Sequence, residues 1–595
     1  MAEQTVGAFL LARLADWGVR RVYGYPGDGI GGIVGGFHEH GDRISFEQTR
    51  HEEIAALAAC AHAKLTGQVG VCLATSGPGA IHLLNGLYDA KLDHQPVVAI
   101  VGQQDRMALG SEYQQEVDLG ALLKDVAHEH VGVCMVPEQT PHLIDRAVRV
   151  ALATRSVTCV IVPNDVQEAP FSEPPRAHGA VRSSAVGFAP PLAVPPEAEL
   201  RRAAEVLDVG QRVAILVGQG ARGAAAEVEQ VADLLGAGVA KALNGKAVLP
   251  DDLPYVTGSI GLLGTLPSDE MMEGCDTLLM VGSSFPYSEW LPEPGQARGV
   301  QIDVDGRLIG MRYPMEVNLV GDAAATLRAL LPLLRRKTDR AWREDVEAGV
   351  ERWWRILDER ARQPAEPINP QLVFAELSRR LPDGAILTAD SGSATNWWAR
   401  HLRVRRGMDA MLSGTLATMG PAVPYALAAK LAAPDRPVVA TSGDGAMQML
   451  GNNALQDLAL RWRDWADPRC VVLVLNNRDL NQVTWEQRVL SGDPKLDASQ
   501  VLPDFDYAAY ARMLGLEGIR VEQPSAVPEA LDRALAADRP CVVDAVTDPE
   551  VPPLPPQIRS EHAKGLLRAL LRGDPAGGRI VRRSLRDKLA EIVQR

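Results

Sequence analysis

Short runs of apolar and β-branched residues alternate along this chain with glycine turns and with longer segments whose apolar positions recur every three or four residues. "RPVVATSGDG" reads as a buried strand ending in a glycine loop, "AMQMLGNNALQDLALRWRDW" has helical spacing, and "RCVVLVLNN" is the next strand. The unit is a strand, a crossover helix and a parallel strand. The same grammar fills residues 1–180, 190–335 and 366–547, so the pattern predicts an α/β protein of three doubly wound parallel-sheet domains. The Pro-rich "EAPFSEPPRAHGAVRSSAVGFAPPLAVPPEAE" separates the first two, and the charged "RRKTDRAWREDVEAGVERWWRILDERARQPAEP" supplies a helix and linker before the third. Residues 548–595 are read as a C-terminal helical tail, in which "LLRALL" and "SLRDKLAEIV" form two short amphipathic helices split by "DPAGG". At the other end, "VGAFLLARLADWGVRR" is interrupted by Arg13 and Asp16, which fits an amphipathic helix better than the apolar core of a signal peptide.

Composition narrows the function. A chain of 595 residues has ample core for several domains. With 61 basic and 75 acidic residues its formal charge is -14, which opposes a generic nucleic-acid role and favours small-molecule partners. The seven cysteines are scattered, mostly within apolar runs and without CxxC spacing, so they read as core thiols in a reducing compartment. No apolar run approaches the ~18 residues of a spanning helix. A cytoplasmic protein is expected.

The candidate chemistry lies at the strand ends. Asp444, between Gly443 and Gly445, and Asn477 both fall just past the carboxyl ends of parallel strands, the edge on which open α/β sheets bind ligands. Asn452 and Asn453 fall inside the connecting helix and should point away from that edge. An acid, an asparagine and glycine amides at a helix N-terminus suit a magnesium diphosphate, and equally a tight βα turn with an Asn cap. In the first domain "TRHEEIAALAACAHAKLTG" begins a helix with Glu52 and Glu53, which the helix dipole alone would favour. In the second, Gly218, Gly220 and Gly223 form a G-x-G-x-x-G between strand and helix, but no convincing strand-end acid follows roughly twenty residues on, so a nicotinamide fingerprint is incomplete.

The "GDG" at 443–445 with the "NN" at 476–477 resembles the signature of the thiamin-diphosphate enzymes, and the likeness extends over nearly the whole chain, being strongest toward the pyruvate oxidase and acetohydroxyacid synthase group. The resemblance implies that Mg²⁺ is held by Asp444, Asn477 and the main-chain carbonyl of Asp479, with Gly443, Gly445 and Ala446 beside the diphosphate. The match of "HEE" to the family's "HE" selects Glu52 as the carboxyl group that bonds the cofactor's aminopyrimidine and starts the proton relay to the reactive carbon. "LSGTLATMGPAVPYALAAK" resembles the segment carrying the large residue under the bent cofactor, here Met419. "ADSGSATNW" resembles the loop near diphosphate and substrate, which points to Ser391, Gly392 and Ser393. "RDLNQVTWEQ" places Val483 and Glu486 over the reactive ring, with Asn481 where a glycine is usual. "GSEYQQEVD" keeps the family's glutamine as Gln115, preceded by Gln114 in place of a phenylalanine, which implies a more polar pocket. Pro26 and His82 lie in stretches that match cofactor contacts, and His94 in another matching stretch.

In the central domain "TGSIGLLG", "MVGSSFPYSEW", "QIDVDGRLIG" and "LVGDAAATL" resemble FAD-binding loops, which adds Gly261, Ser283, Asp303 and Asp322 to Gly218 and Gly220 as flavin contacts. The expected activity is decarboxylation of a pyruvate-like 2-oxo acid with oxidation through FAD. The alternatives are acetolactate-synthase-type carboligation, non-oxidative carbon–carbon cleavage, or a degenerate assembly subunit. The carboligases of this group carry an arginine for the second acid, where this chain reads "SSFPYSEW". The resemblance also implies a site completed by Glu52 of one chain and Asp444 and Asn477 of another, hence a homodimer or homotetramer. Ten basic residues against four acidic ones over residues 559–595 make the tail a candidate for peripheral contact with the inner face of a membrane, or for a cap packed over its own active site.

Overall fold

In the computed structural model, which describes residues 4–178, 181, 185–553 and 560–578, three parallel six-stranded sheets carry helices on their faces. The first sheet comprises β1 (Arg21–Gly24), β2 (Ser45–Gln48), β3 (Gly70–Ala74), β4 (Val97–Gln103), β5 (Val131–Val133) and β6 (Val157–Pro163), in the order β2-β1-β3-β4-β6-β5. The second comprises β7 (Val213–Val217), β8 (Gly238–Lys241), β9 (Val256–Ser259), β10 (Thr277–Val281), β11 (Arg298–Asp303) and β12 (Val317–Val320), in the order β12-β11-β10-β7-β8-β9. The third comprises β13 (Ile386–Ala389), β14 (Asp409–Met411), β15 (Val438–Gly443), β16 (Cys470–Asn476), β17 (Glu517–Val521) and β18 (Cys541–Val546), in the order β14-β13-β15-β16-β18-β17. β3, β4, β6, β7, β10, β16 and β18 are buried along their whole length, which is why they read as continuous apolar runs without alternation. All seven cysteines are buried.

Compact units cut across the linear segments. One contains Met1–Pro190 with Met411–Ala440 and Ala446–Cys470, and the other contains Pro191–Ala410 with Thr441–Gly445 and Val471–Arg595. In the first unit the Ala422–Ala432 helix packs on the Glu52–Thr66 helix around a buried polar cluster. Lys64 Nζ lies 2.7 Å from Asp93 Oδ2, 2.7 Å from the Tyr425 hydroxyl and 2.6 Å from the Leu412 carbonyl. Burial opposes the Lys64 charge, but Asp89 and Asp93 outweigh it and the ammonium is held above its usual pKa. Asp93 also accepts from the amides of Gly414 and Thr415, fixing the base of the loop that carries Met419.

Two local features depart from plain helical spacing. After Asp444–Ala446 the chain runs through a π turn, Met447–Gly451, before the Asn452–Arg461 helix. A second π turn, Gln487–Ser491, follows the Asn481–Glu486 helix, and the Ser560–Leu571 helix docks on it. Leu566 and Leu570 join Trp485, Val489 and Ala576 in a small apolar cluster. At Gly565 a Cβ would fall 2.0 Å from the Val489 carbonyl oxygen, so only glycine permits this approach. Arg488, nearly fully buried, makes a bidentate pair with Asp574 at 2.8 and 3.0 Å. The "LLRALL" half of the tail is thereby used in packing, while "SLRDKLAEIV" lies outside the described residues. Among the described residues no helix is long and apolar enough to cross a membrane.

Candidate active site

In the first unit the candidate residues gather where β1 and β3 end, at the switch in strand order that opens a crevice in such sheets. His51 caps the Glu52–Thr66 helix, its Nδ1 accepting from the Glu53 amide at 3.1 Å. The cap sends the two following acids in different directions. Glu53 is half-buried and its carboxylate accepts from Asn85 Nδ2 at 2.6 Å. Glu52 is 7 % exposed and its Oε2 lies 2.9 Å from His82 Nδ1. A Cβ at Gly79 would stand 3.3 Å from Glu52 Oε1, so the glycine turn leaves room for the carboxylate. Pro26 is exposed on the loop after β1, where the Gly29 amide donates to Thr75 Oγ1 of the loop after β3. Gln115 has a positive φ of 61° and packs on Gly77, while Gln114 beside it is exposed. Met419 is half-buried next to Gly420, whose φ is 110°.

In the second unit the ends of β13, β15 and β16 converge. Asp444 follows β15 directly and is 3 % exposed. Its Oδ2 accepts from the Arg478 amide at 2.5 Å and its Oδ1 from the Gly445 amide at 2.9 Å. Burial pushes its pKa up to about 7 despite those amides. Among the described residues no lysine or arginine pairs with it. This buried acid short of a countercharge fits a divalent cation. Of the asparagine pair, Asn476 is buried and donates to Asp544 Oδ1 and the Phe505 carbonyl, a structural anchor. Asn477 is half-exposed, and its Oδ1 accepts the Asp479 amide at 3.0 Å, with a second lone pair available to a metal among the described residues. The Asp479 carboxylate is taken up by Thr484 at 2.9 Å and Lys495 at 2.9 Å, so the residue's remaining donor toward a metal is its main-chain carbonyl, which also receives the Asn481 amide. The left-handed turn falls at Arg478, with φ 57°, and not at Asn481. Asn481 therefore needs no glycine conformation, and its side chain instead donates to Asp479 and to the Pro549 carbonyl.

Ser391 and Gly392 lead into the Ser393–His401 helix, with Gly392 at φ 101° as its cap. The N–H groups at a helix terminus suit a phosphate. Gln482 accepts from Asn396 at 2.8 Å and donates to Glu486 at 2.9 Å, which holds Glu486 in place, while Val483 is 49 % exposed and offers an apolar surface. Gly443 has open space where a side chain would stand, and Ala446 closes the helical turn after Asp444.

The second sheet has its own switch point, between β7 and β10. The Gly218 amide donates to Val281 and the Gly220 amide to Gly282, and a Cβ at Gly218 would fall 2.3 Å from the Gly282 carbonyl oxygen. These glycines let the two loops meet. Ser283 and Asp303 are buried beside the crossing, Gly261 has φ 96°, and Asp322 caps the Ala323–Leu330 helix. Sequence reading missed Arg400. It is buried on the Ser393–His401 helix, donates to the carbonyls of Leu262 at 2.7 Å and Gly264 at 3.0 Å, and its pKa is lowered to about 9 by burial and by Arg360. Among the described residues no carboxylate neutralises it. Its neighbours in sequence, "NWWARH", gave no sign of a buried cation because contacts with residues 262–264 exist only in the fold.

A buried carboxylate on one sheet edge, and oxygen donors beside a helix N-terminus on another, fit an α/β enzyme that binds a diphosphate cofactor. Residues 4–122 match the N-terminal TPP binding domain of the thiamine pyrophosphate enzymes, residues 200–330 their central domain and residues 390–545 their C-terminal TPP binding domain. The chain belongs to this family, in the group that contains pyruvate oxidases and acetolactate synthases. It is 38% identical over 574 residues to the putative thiamine pyrophosphate-containing protein YdaP of Bacillus subtilis (strain 168), covering 96% of each chain. It is 30% identical over 561 residues to the pyruvate oxidase of Lactiplantibacillus plantarum, covering 94% of this chain and 91% of that one. It is also 30% identical over 560 residues to the acetolactate synthase isozyme 2 large subunit of Escherichia coli (strain K12), covering 90% and 95%.

Proposed function

We propose that this protein decarboxylates a pyruvate-like 2-oxo acid with thiamin diphosphate and Mg²⁺ and oxidises the product through FAD. The observation that carries the oxidative part lies in the second unit: the order of the second sheet is that of dinucleotide-binding folds, loops meet at its switch point, and Arg400 beside the Gly261 loop is a buried cation in want of an anion. A flavin diphosphate would supply that charge. Gly218, Gly220, Gly261, Ser283, Asp303 and Asp322 are the contacts proposed with it.

For the first step, Asp444, Asn477 and the Asp479 carbonyl would hold the metal, and Ser391, Gly392 and Ser393 the diphosphate. When bound, thiamin diphosphate supplies the carbanion that adds to the substrate carbonyl and accepts its electrons on loss of CO₂. Glu52 holds the proton at the aminopyrimidine, and burial keeps competing water from that carboxyl group. Val483 and Met419 offer apolar surface, and Glu486, tied to Gln482, offers a second carboxyl group for proton transfer to substrate. The exposed Gln114 and the half-buried Gln115 make the acid-binding end polar. We take the homodimer as the minimum active unit. Carboligation to a second 2-oxo acid would call for a bidentate guanidinium in the segment that here reads "SSFPYSEW", which carries no arginine.

The test is optical. The purified protein is expected to be yellow, with visible bands that bleach anaerobically when the correct member of a 2-oxo acid panel is added and CO₂ is released. Colourless protein that releases CO₂ at full rate without added FAD would refute the oxidative step and leave a simple decarboxylase or lyase.

A further inference from the structure

The carboxyl group of Glu52 has to exchange its proton with the medium as reaction cycles repeat, yet its side chain is only 9% exposed. Among the described residues the structure places one titratable side chain within hydrogen-bond distance of it, His82, whose Nδ1 lies 2.9 Å from Oε2. The other acid of the pair is occupied, since Glu53 accepts from Asn85, while the glycine at position 79 leaves the Oε1 side of Glu52 free of a side chain. The His82 side chain is 44% exposed, so one ring nitrogen meets the buried oxygen while the ring as a whole reaches the surface. Its orientation is held by stacking on His51, with ring centroids 4.5 Å apart and planes inclined by 27°, and His51 is itself pinned by the Glu53 amide.

We propose that His82 is the relay through which Glu52 exchanges its proton with water, a role beyond contact with the cofactor. This rests on Glu52 being the carboxyl group at the aminopyrimidine. The transfer is balanced: Nδ1 takes the proton from Oε2 while Nε2 releases one to water, the ring stays neutral, and the reverse transfer restores the starting tautomer. An amide in the same place could hydrogen-bond Oε2 but could not carry the proton through. That difference separates relay from mere positioning.

The experiment uses the holoenzyme and reads hydrogen–deuterium exchange at C2 of bound thiamin diphosphate together with steady-state CO₂ release. His82→Ala and His82→Gln are both expected to lose about 10²-fold in turnover, the low end of what proton transfer by a positioned group contributes, with Mg²⁺ and thiamin diphosphate binding retained. Added imidazole should restore His82→Ala in proportion to its concentration and have no effect on wild type. Wild-type rates in His82→Gln would show that a hydrogen bond suffices and would overturn the relay. So would slow variants that imidazole never rescues. Glu52→Gln is the separate control: if it exchanges C2 hydrogen at the wild-type rate, the assignment of Glu52 fails, whereas slow Glu52→Gln beside normal His82 variants sinks only the relay.

Discussion

Asp457 tests the electrostatics of the first unit. It lies on the Asn452–Arg461 helix with a fully buried carboxylate, accepts from the Arg50 amide at 3.2 Å, and so fixes the turn that leads into His51 and Glu52. The Arg50 guanidinium approaches its other oxygen at 3.2 Å without hydrogen-bond alignment. Burial pushes the carboxyl pKa from 3.8 up to about 7, outweighing Arg50. Between those values the folded protein holds a proton that the unfolded chain has lost, so stability falls as pH rises through that window and levels off above it. A shift of about 3 units at ~1.4 kcal/mol each amounts to ~4 kcal/mol at pH 8, and only ~1.6 kcal/mol at pH 5. Asp457→Asn keeps an oxygen for the Arg50 amide, and exchanging the carboxyl group for an amide carries a repacking cost of up to ~1 kcal/mol. The variant is therefore expected to be more stable than wild type by about 3 kcal/mol at pH 8 and by ~1 kcal/mol at pH 5. Scanning calorimetry of both proteins should show a Tm gap that widens by a few degrees between the two pH values, at ~2 °C per kcal/mol for a large unit. A gap independent of pH, or a variant less stable than wild type at pH 8, would refute the reasoning.

Asp444→Ala should abolish Mg²⁺-dependent binding of thiamin diphosphate, measured by calorimetry, whereas Asn452→Ala and Asn453→Ala should leave it within a few-fold of wild type; equal damage by the helix asparagines would show that the metal is held elsewhere. Asp574→Ala leaves Arg488 buried with Glu550 at 3.1 Å as its remaining acid. Breaking such a pair costs up to ~3–5 kcal/mol, and with Glu550 still in place ~2 kcal/mol is expected, enough to raise the undocked fraction of the 560–578 segment by about 30-fold. Limited proteolysis should then cut there at a correspondingly higher rate, and an unchanged rate would mean that the apolar contacts alone hold the helix.

Local pattern determined much of this protein. Buried parallel strands carry their signature in continuous apolar runs, and glycine turns mark where they end, so the three sheets and the strand-end positions of Asp444 and Asn477 could be read directly. The Asn476–Asn477 pair as a pair was legible for the same reason, because adjacent residues at a strand end are separated by the backbone itself. What each of the two does was not, since only the fold brings Asp544 to Asn476 and leaves Asn477 half-exposed. Glu52 and Glu53 are alike in sequence, and their separation depends on the His51 cap and on Asn85 and His82, thirty residues away on another helix. Arg400 was invisible because a buried guanidinium is recognised by what surrounds it. The amphipathic pattern of "LLRALL" left open whether that helix would meet lipid or pack on the protein. Contact through Gly565 and the Arg488–Asp574 pair decided that, because hydrophobic periodicity fixes which face of a helix is buried while the partner is set by shape and charge matching between segments far apart in the chain.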